Sequence, residues 1–329
     1  MKRLILTSIP GSVLKRDGEE IADAVITFNF RFVWGQLPSP DKLARYVGKG
    51  SGKNAGGNHW SDYGRWPRDL GPPPMGLVEF CMHFDAVELW FDSMPNDQLL
   101  QIWLLDHLRH YPDILPRLKV SLLSFNLNEI PLEGLRKWEV PTVDVSKDEL
   151  ETAAATWQAY RAATPQACVD VLARNMSSLL LLRPALHQLL NELPSRTTGL
   201  GATEMRMLEM IAWGYASTNA LFHLRGLRRT RVFSEWEHGY LLDGLAFGPN
   251  PAVVGLDDAL RTIDRENLGD RLKMYLRSRL SLTEFGKAIV AHEEDFSRHN
   301  PIHRWWARTE LTSDRLWRWD PANRALIEP

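Results

Sequence analysis

The hydrophobic period changes most sharply across residues 84–108, FDAVELWFDSMPNDQLLQIWLLDHL, where a strand-like run gives way to a helix-like one over a short polar turn. Residues 86–91 are dense in Val, Leu, Trp and Phe, which predicts a parallel strand buried on both faces between helix layers. Residues 92–97 then turn. Pro95 has no N–H to offer a strand, and Asn96 and Asp97 are the side chains expected to accept from the first free amides of a helix. That helix is expected to begin near Asp97, with Leu99, Leu100, Ile102, Trp103, Leu104, Leu105 and Leu108 as a stripe wide enough to lie on a sheet. Strand, acidic turn and helix make half of a βαβ unit. Ligands of such sheets sit beyond the carboxyl ends of the strands, so Asp92, Asp97 and the neighbouring Gln98 point at the expected pocket.

The same patterning predicts the remaining elements. Residues 4–6 are a first strand, and Thr7-Ser8-Ile9-Pro10-Gly11-Ser12 turns into a short helix from Val13. Free amides at that helix start suit an anion, which makes Ser8, Gly11 and Ser12 ligand-binding candidates. With neither a second glycine nor a following lysine, a plain strand-to-helix turn competes with that assignment and is favoured. Residues 24–28 are a second strand, and Asp41 is expected to cap a helix through Val47. Residues 48–76, rich in Gly and Pro, predict a long loop or lid. His59, Trp60, Asp62, Tyr63, Arg65 and Trp66 would suit a ligand-covering flap, although loops of this composition more often cover nothing. The GSGK within it has neither phosphate-loop spacing nor a Ser or Thr after Lys53.

Residues 118–125 are the next strand of a sheet expected to hold four or five, and 129–145 are an irregular linker. From residue 148 the period is helical, with helices predicted over 148–161, 165–174 and 177–193. Residues 194–199 are polar and glycine-ended, the best boundary in the chain. Helices over 202–213, 216–227 and 235–245 follow, then an alternating strand over 274–282, a helix capped by Thr283 and running through His292, and a closing edge strand at 316–320. Helices, then a strand and a helix, suggest a winged-helix arrangement. The expected division is an α/β sheet domain over 1–145, a helical segment over 146–194 and a winged-helix-like domain over 195–329.

Composition changes this picture little. The 329 residues are 44% hydrophobic and 24% charged, which suffices for two or three domains with real cores. Cys81 and Cys168 lie far apart, so neither a disulfide framework nor a cysteine zinc site is indicated, and a reducing cytoplasmic setting fits. The apolar start ends at Pro10 before reaching leader length, and no stretch approaches a membrane span. A net charge of −2 argues against a globally basic nucleic-acid binder while leaving a local basic face open.

Several stretches together resemble a known family. LWFDSMPNDQLLQIWLLDHL, WGQLP, TWQAYRAATPQA, LLRPALHQLLNELPSRTTGLGATEMRMLEMI, LSLTEFGKAIVA and NPIHRWWARTEL with LWRW are similar to bacterial proteins of domain of unknown function 1835. They run in that family's order over nearly the whole chain. The resemblance implies an intracellular α/β domain, Rossmann-like or flavodoxin-like, with a helical and winged-helix-like tail, and it implies no activity. Three positions depart from the family pattern: Thr7-Ser8-Ile9-Pro10-Gly11 replaces a first turn that usually carries a carboxylate, Phe30, Arg31 and Phe32 replace acidic residues, and Trp306 and Ala307 replace glycines.

The chemistry that remains is sparse. Asp92, Asp97 and Gln98 suit acid–base work or a metal, since paired carboxylates split their pKa values when one is desolvated, but a helix cap and a solvated carboxylate account for them more simply and are favoured. His292, His299 and His303 around Glu293, Glu294 and Asp295 lack metal-ligand order, so no metal is expected, and no cofactor motif stands out. Arg225, Arg228, Arg229 and Arg231 put four charges within seven residues, suited either to phosphates or to ion pairs with Asp243, Asp257, Asp258 and Asp264. Three functions follow in order of preference: a protein binding a small anionic or nucleotide-like ligand, an enzyme acting on a phosphorylated or nucleotide substrate, and a DNA-binding regulator using the tail.

Overall fold

The computed structural model describes residues 1–9, 15–16, 19–50, 59–65, 75–121, 123, 140–223, 232–258, 260 and 268–329. Gly11, Ser12, Trp66, Arg225, Arg228, Arg229, Arg231 and Asp264, singled out above, lie outside these residues, as does most of the 48–76 loop. The chain divides into two compact units. Unit 1 comprises Met1–Phe32, Leu37–Arg161 and Asp170–Ala185; unit 2 comprises Val33–Gln36, Ala162–Val169 and Leu186–Pro329.

Unit 1 is built on a six-stranded, mostly parallel sheet. Its strands are β1 (Arg3–Thr7), β4 (Ala24–Thr27), β5 (Gly64–Arg65), β6 (Ala86–Trp90), β7 (Leu118–Ser121) and β8 (Thr142–Asp144), in the spatial order β5-β4-β1-β6-β7-β8. A two-residue hairpin, β2 (Lys15–Arg16) with β3 (Glu19–Glu20), lies between β1 and β4 in the chain. The four inner strands are parallel, and the short edges β5 and β8 are antiparallel. β8 falls inside the stretch expected to be a linker; at three residues, only one of them apolar, it carries too little patterning to stand out.

Register divides the sheet into two unlike faces. Leu4, Leu6, Ala24, Ile26, Val87, Leu89, Leu118 and Val120 share one face, wholly apolar as a helix-covered parallel sheet requires. The other carries Arg3, Ile5, Val25, Glu88 and Trp90. All of β6 is buried, so the charge of Glu88 must be satisfied internally. Arg3 closes a bidentate pair on it, Nε to Oε1 and Nη2 to Oε2 both at 2.9 Å, and the Trp90 indole donates to Oε2 at 2.9 Å.

Helix α1 (Pro40–Val47) has Pro40 at its first position and Ser39 as cap, whose Oγ accepts from the Lys42 amide at 3.2 Å; the cap is therefore not Asp41, which sits in the first turn. A short helix, α2 (Leu77–Cys81), precedes β6. Helix α3 (Pro95–Leu108) begins two residues before Asp97, again with proline leading, and α4 (Lys147–Tyr160) packs on it, capped by Ser146. His59 and Trp60 are buried where a 3-10 turn (Trp60–Tyr63) begins, His59 bonding the Gly48 carbonyl at 2.9 Å, so neither is free to cover a ligand, whereas Asp62 and Tyr63 are exposed.

Helices α5 (Gln166–Leu172) and α6 (Leu182–Asn191) follow in the chain. Unit 2 continues with α7 (Ala202–Ala212), α8 (Thr218–His223), α9 (Glu235–Ala246), β9 (Val253–Val254), α10 (Leu268–Leu276), β10 (Ser281–Leu282) and α11 (Glu284–Val290). Of the strand expected over 274–282, residues 274–276 are the end of α10, Arg279 makes an isolated bridge and Ser281–Leu282 is extended. Thr283 caps α11 through the Gly286 amide at 3.0 Å, and that helix stops at Val290. The C-terminal region is made of small antiparallel hairpins, β11 (His303–Trp306) with β12 (Thr309–Thr312) and β13 (Arg318–Asp320) with β14 (Ala325–Ile327). Residues 194–199, expected to be a boundary, are held inside unit 2: the Phe296 amide donates to the Thr198 carbonyl at 2.8 Å, and Arg318 Nη1 donates to the Ser195 carbonyl at 3.0 Å.

Candidate functional site

Among the four parallel strands of unit 1, the second in the chain lies to one side of the first and the third to the other, so the chain reverses direction between β1 and β6. At such a switch point the two following turns diverge and leave a crevice at the carboxyl edge. The turn after β1 is drawn toward β4: Thr27 Oγ1 donates to the Ile9 carbonyl at 2.9 Å, and the Phe28 amide donates to the Thr7 carbonyl at 2.8 Å.

The turn after β6 is organised by Asp92. Its Oδ1 accepts from the Met94 amide at 2.8 Å, and its carbonyl accepts from Gln98 Nε2 at 2.6 Å. Asp97, on the first turn of α3, then joins the two turns. Its Oδ2 accepts from Ser8 Oγ at 2.7 Å and from the Asp92 amide at 3.3 Å. Burial pushes the Asp97 carboxyl above the usual range, opposed by the Ser8 hydroxyl, the Asp92 amide and, through space, the Arg31 guanidinium. Ser8, Asp92, Asp97 and Gln98 are therefore brought together.

The expectation that Asn96 and Asp97 cap the helix gives way to a different role, because Pro95 has already set the first turn. Asn96 instead clamps the segment after β4: its Oδ1 accepts from the Phe32 amide at 2.9 Å, and its Nδ2 donates to the Phe30 carbonyl at 3.0 Å. Phe30 and Phe32 stack at 5.4 Å and both meet Trp103 edge-on, so the two aromatics that stand where the resembled family has acids are packing groups here. Sequence reading also passed over Ser121. It ends β7, is 6% exposed, and its hydroxyl has no hydrogen-bond partner among the described residues. The signal for it was a lone hydroxyl closing the apolar alternation of LKVS.

Among the described residues no group of three His, Cys, Asp or Glu side chains could hold a metal ion. His299 meets Glu294 at 3.1 Å and His303 meets Glu310 at 3.0 Å. Asp257 and Asp258 pair with Arg271, at 3.5 and 3.1 Å. Among the described residues no helix is long and apolar enough to cross a membrane. A buried carboxyl held against a hydroxyl at a sheet's carboxyl edge can donate or accept hydrogen bonds to a polar ligand and can exchange a proton with it. No family model matches the chain, and no curated protein matches it.

Proposed function

We propose that this is a cytoplasmic ligand-binding or regulatory protein whose α/β domain, flavodoxin-like in its strand order, holds a small anionic or nucleotide-like ligand between the turns after β1 and β6. The observation that carries this reading is the 2.7 Å hydrogen bond from Ser8 to Asp97, which spans the crevice between the two central strands. Asp92, Asp97 and Gln98 would meet polar groups of the ligand, and the segment containing Gly11 and Ser12 would meet its anionic end. Both cysteines are buried and unpaired, in keeping with a reducing compartment. The resemblance to domain of unknown function 1835 adds the same two-part architecture and no chemistry.

A thermal-shift titration with nucleotides and phosphorylated metabolites tests the reading. A ligand at one hundred times its Kd should stabilise the protein by about 2.7 kcal/mol, and Ser8→Ala or Asp97→Asn should remove that gain. Ligands that leave the melting temperature unmoved at millimolar concentration would end it. The same hydrogen bond favours a second reading, hydrolysis or transfer with Ser8 as nucleophile and Asp97 as base, which predicts turnover of a bound phosphate ester and its loss in Ser8→Ala.

The tail is proposed to be winged-helix-like. What supports this is the order α7, an extended residue at Ser217, α8, α9, β9, α10 and β10, with Ser217 bridged to Arg279 and β9 paired to β10, so that three extended pieces meet there. A DNA-binding role is disfavoured by α9, which carries Glu235, Glu237 and Asp243 and no lysine or arginine. An electrophoretic shift at physiological salt, present in the intact protein and lost when Arg225, Arg228, Arg229 and Arg231 are all replaced by Ala, would reverse that preference.

A further inference from the structure

Unit 2 holds a cleft of about 340 Å³ with the carboxyl of Glu192, a half-buried residue just after α6, in its wall. The Thr203 hydroxyl donates to Oε1 at 2.6 Å and the Thr203 amide to Oε2 at 3.2 Å. The carboxyl is seated there because Gly201 has no side chain: a Cβ would stand 2.9 Å from the Glu192 carbonyl oxygen and 3.0 Å from Oε2.

Buried carboxylates normally pair with a cation, and among the described residues Glu192 makes no ion pair; Arg304, the cation that acts on it through space, leaves its own Nε and Nη2 without a partner among those residues. The neighbouring acid, Glu204, is satisfied by Arg304 Nη1 at 2.7 Å and the Gly201 amide at 2.9 Å. Arg206, the one cation among the described residues that line the cleft, is held by Glu209 at 3.1 Å and lies over the Trp213 ring at 5.5 Å. Among the described residues the charged groups acting on Glu192 are Glu204 and Arg304, joined through Arg304 Nη1, and the Arg206–Glu209 pair lines the same cleft. Burial, with Glu204 adding to it and Thr203 and Arg304 opposing, pushes the Glu192 carboxyl up to about 7. Ala202, Met205 and Val232 give the cleft an apolar wall beside this charge. Thr203 and Glu209 are six residues apart on α7, about 9 Å along its axis.

We propose that the cleft binds a short aliphatic diamine, one ammonium paired with Glu192, the methylenes on Ala202, Met205 and Val232, and the second ammonium toward Glu209. Four lone-pair directions are available on a carboxylate and Thr203 uses two, so an ammonium can complete the set without displacing a bond. Binding draws the carboxyl into its ionised form, so association releases a proton wherever the free group is protonated.

Calorimetric titration of the intact protein with 1,5-diaminopentane, in two buffers of different ionisation enthalpy, reads all of this. Binding should weaken about tenfold from pH 8 to pH 6 as the ionised fraction of Glu192 falls, with roughly half a proton released per site at pH 7. Glu192→Gln should weaken binding at pH 8 by at least about tenfold and abolish the pH dependence. Should that variant fold poorly, the proton release and pH dependence of the unaltered protein decide the matter. Equal binding of 1,5-pentanediol, binding indifferent to pH, or no heat at 10 mM diamine would overturn the proposal.

Discussion

Glu88 shows how one residue sets the terms for its surroundings. It sits in the middle of a fully buried strand, between Val87 and Leu89, and only Arg3 and the Trp90 indole make its charge tolerable there. Removing the carboxylate leaves a guanidinium that is only 37% exposed, so Glu88→Ala should cost about 2–3 kcal/mol in urea unfolding, less than for a fully enclosed pair. Glu88→Gln keeps an acceptor for both donors and should cost about half of that. Asp97 poses the opposite case, a carboxyl whose folded-state pKa is raised above its ordinary 3.8 by burial. A raised acid contributes most below its unfolded pKa, and that contribution is lost as pH rises through the folded value. Asp97→Asn keeps an acceptor for Ser8, so its stability relative to the unaltered protein should rise between pH 4 and pH 8. A constant difference over that range would mean that Asp97 ionises freely in the fold.

Single elements were legible where local chemistry decides them and obscure where distant partners do. The Thr283 cap could be read directly, since its hydroxyl takes the Gly286 amide at 3.0 Å, a bond formed within one turn. It also donates to the Pro251 carbonyl at 2.8 Å, which no local pattern announces. Thr283→Ala should therefore cost about 1–2 kcal/mol, the upper part of the range for a lost cap, and Thr283→Ser should restore most of it; equal losses in both would point to the methyl group instead. β6 and α3 were visible for a related reason, dense apolar runs over a short span, each buried along nearly its whole length. The starts of α1 and α3 were misplaced by one or two residues because Asp41 and Asp97 were weighted over the prolines that lead those helices. Residues 274–282 alternate well enough to suggest a strand, yet α10 runs through Leu276 and buries Tyr275 completely, so tertiary packing overrode the local pattern. Of the candidate site, Asp92, Asp97, Gln98 and Ser8 could be named from the strand–turn–helix pattern. Asn96 and Ser121 could not, because what distinguishes them is a partner 64 residues away for one and the lack of any partner among the described residues for the other.

At the scale of the whole chain, the division into units was the least legible feature, since residues 33–36 and 162–169 belong with the C-terminal part and only long-range contacts reveal it. The two units offer a common test through the carboxyls each buries, Asp97 in unit 1 and Glu192 in unit 2. Both pKa values are raised by burial, so both contribute most stability at low pH and lose it as pH rises, Glu192 between its ordinary 4.5 and about 7. The intact protein should accordingly lose stability from pH 4.5 to pH 7.5 through these two groups, against the more common trend in which paired carboxylates gain it. Glu192→Gln should flatten the part of the curve centred near pH 6, and Asp97→Asn should flatten its own part. The two carboxyls share no partner, so the double variant's change in stability across that interval should equal the sum of the single variants' changes within about 0.5 kcal/mol. Denaturant unfolding at a series of pH values measures each term. A slope untouched by Glu192→Gln would remove the buried acid from unit 2, and with it the charge on which amine binding depends, whereas a sum that fails by more than about 1 kcal/mol would show that the two carboxyls are energetically coupled.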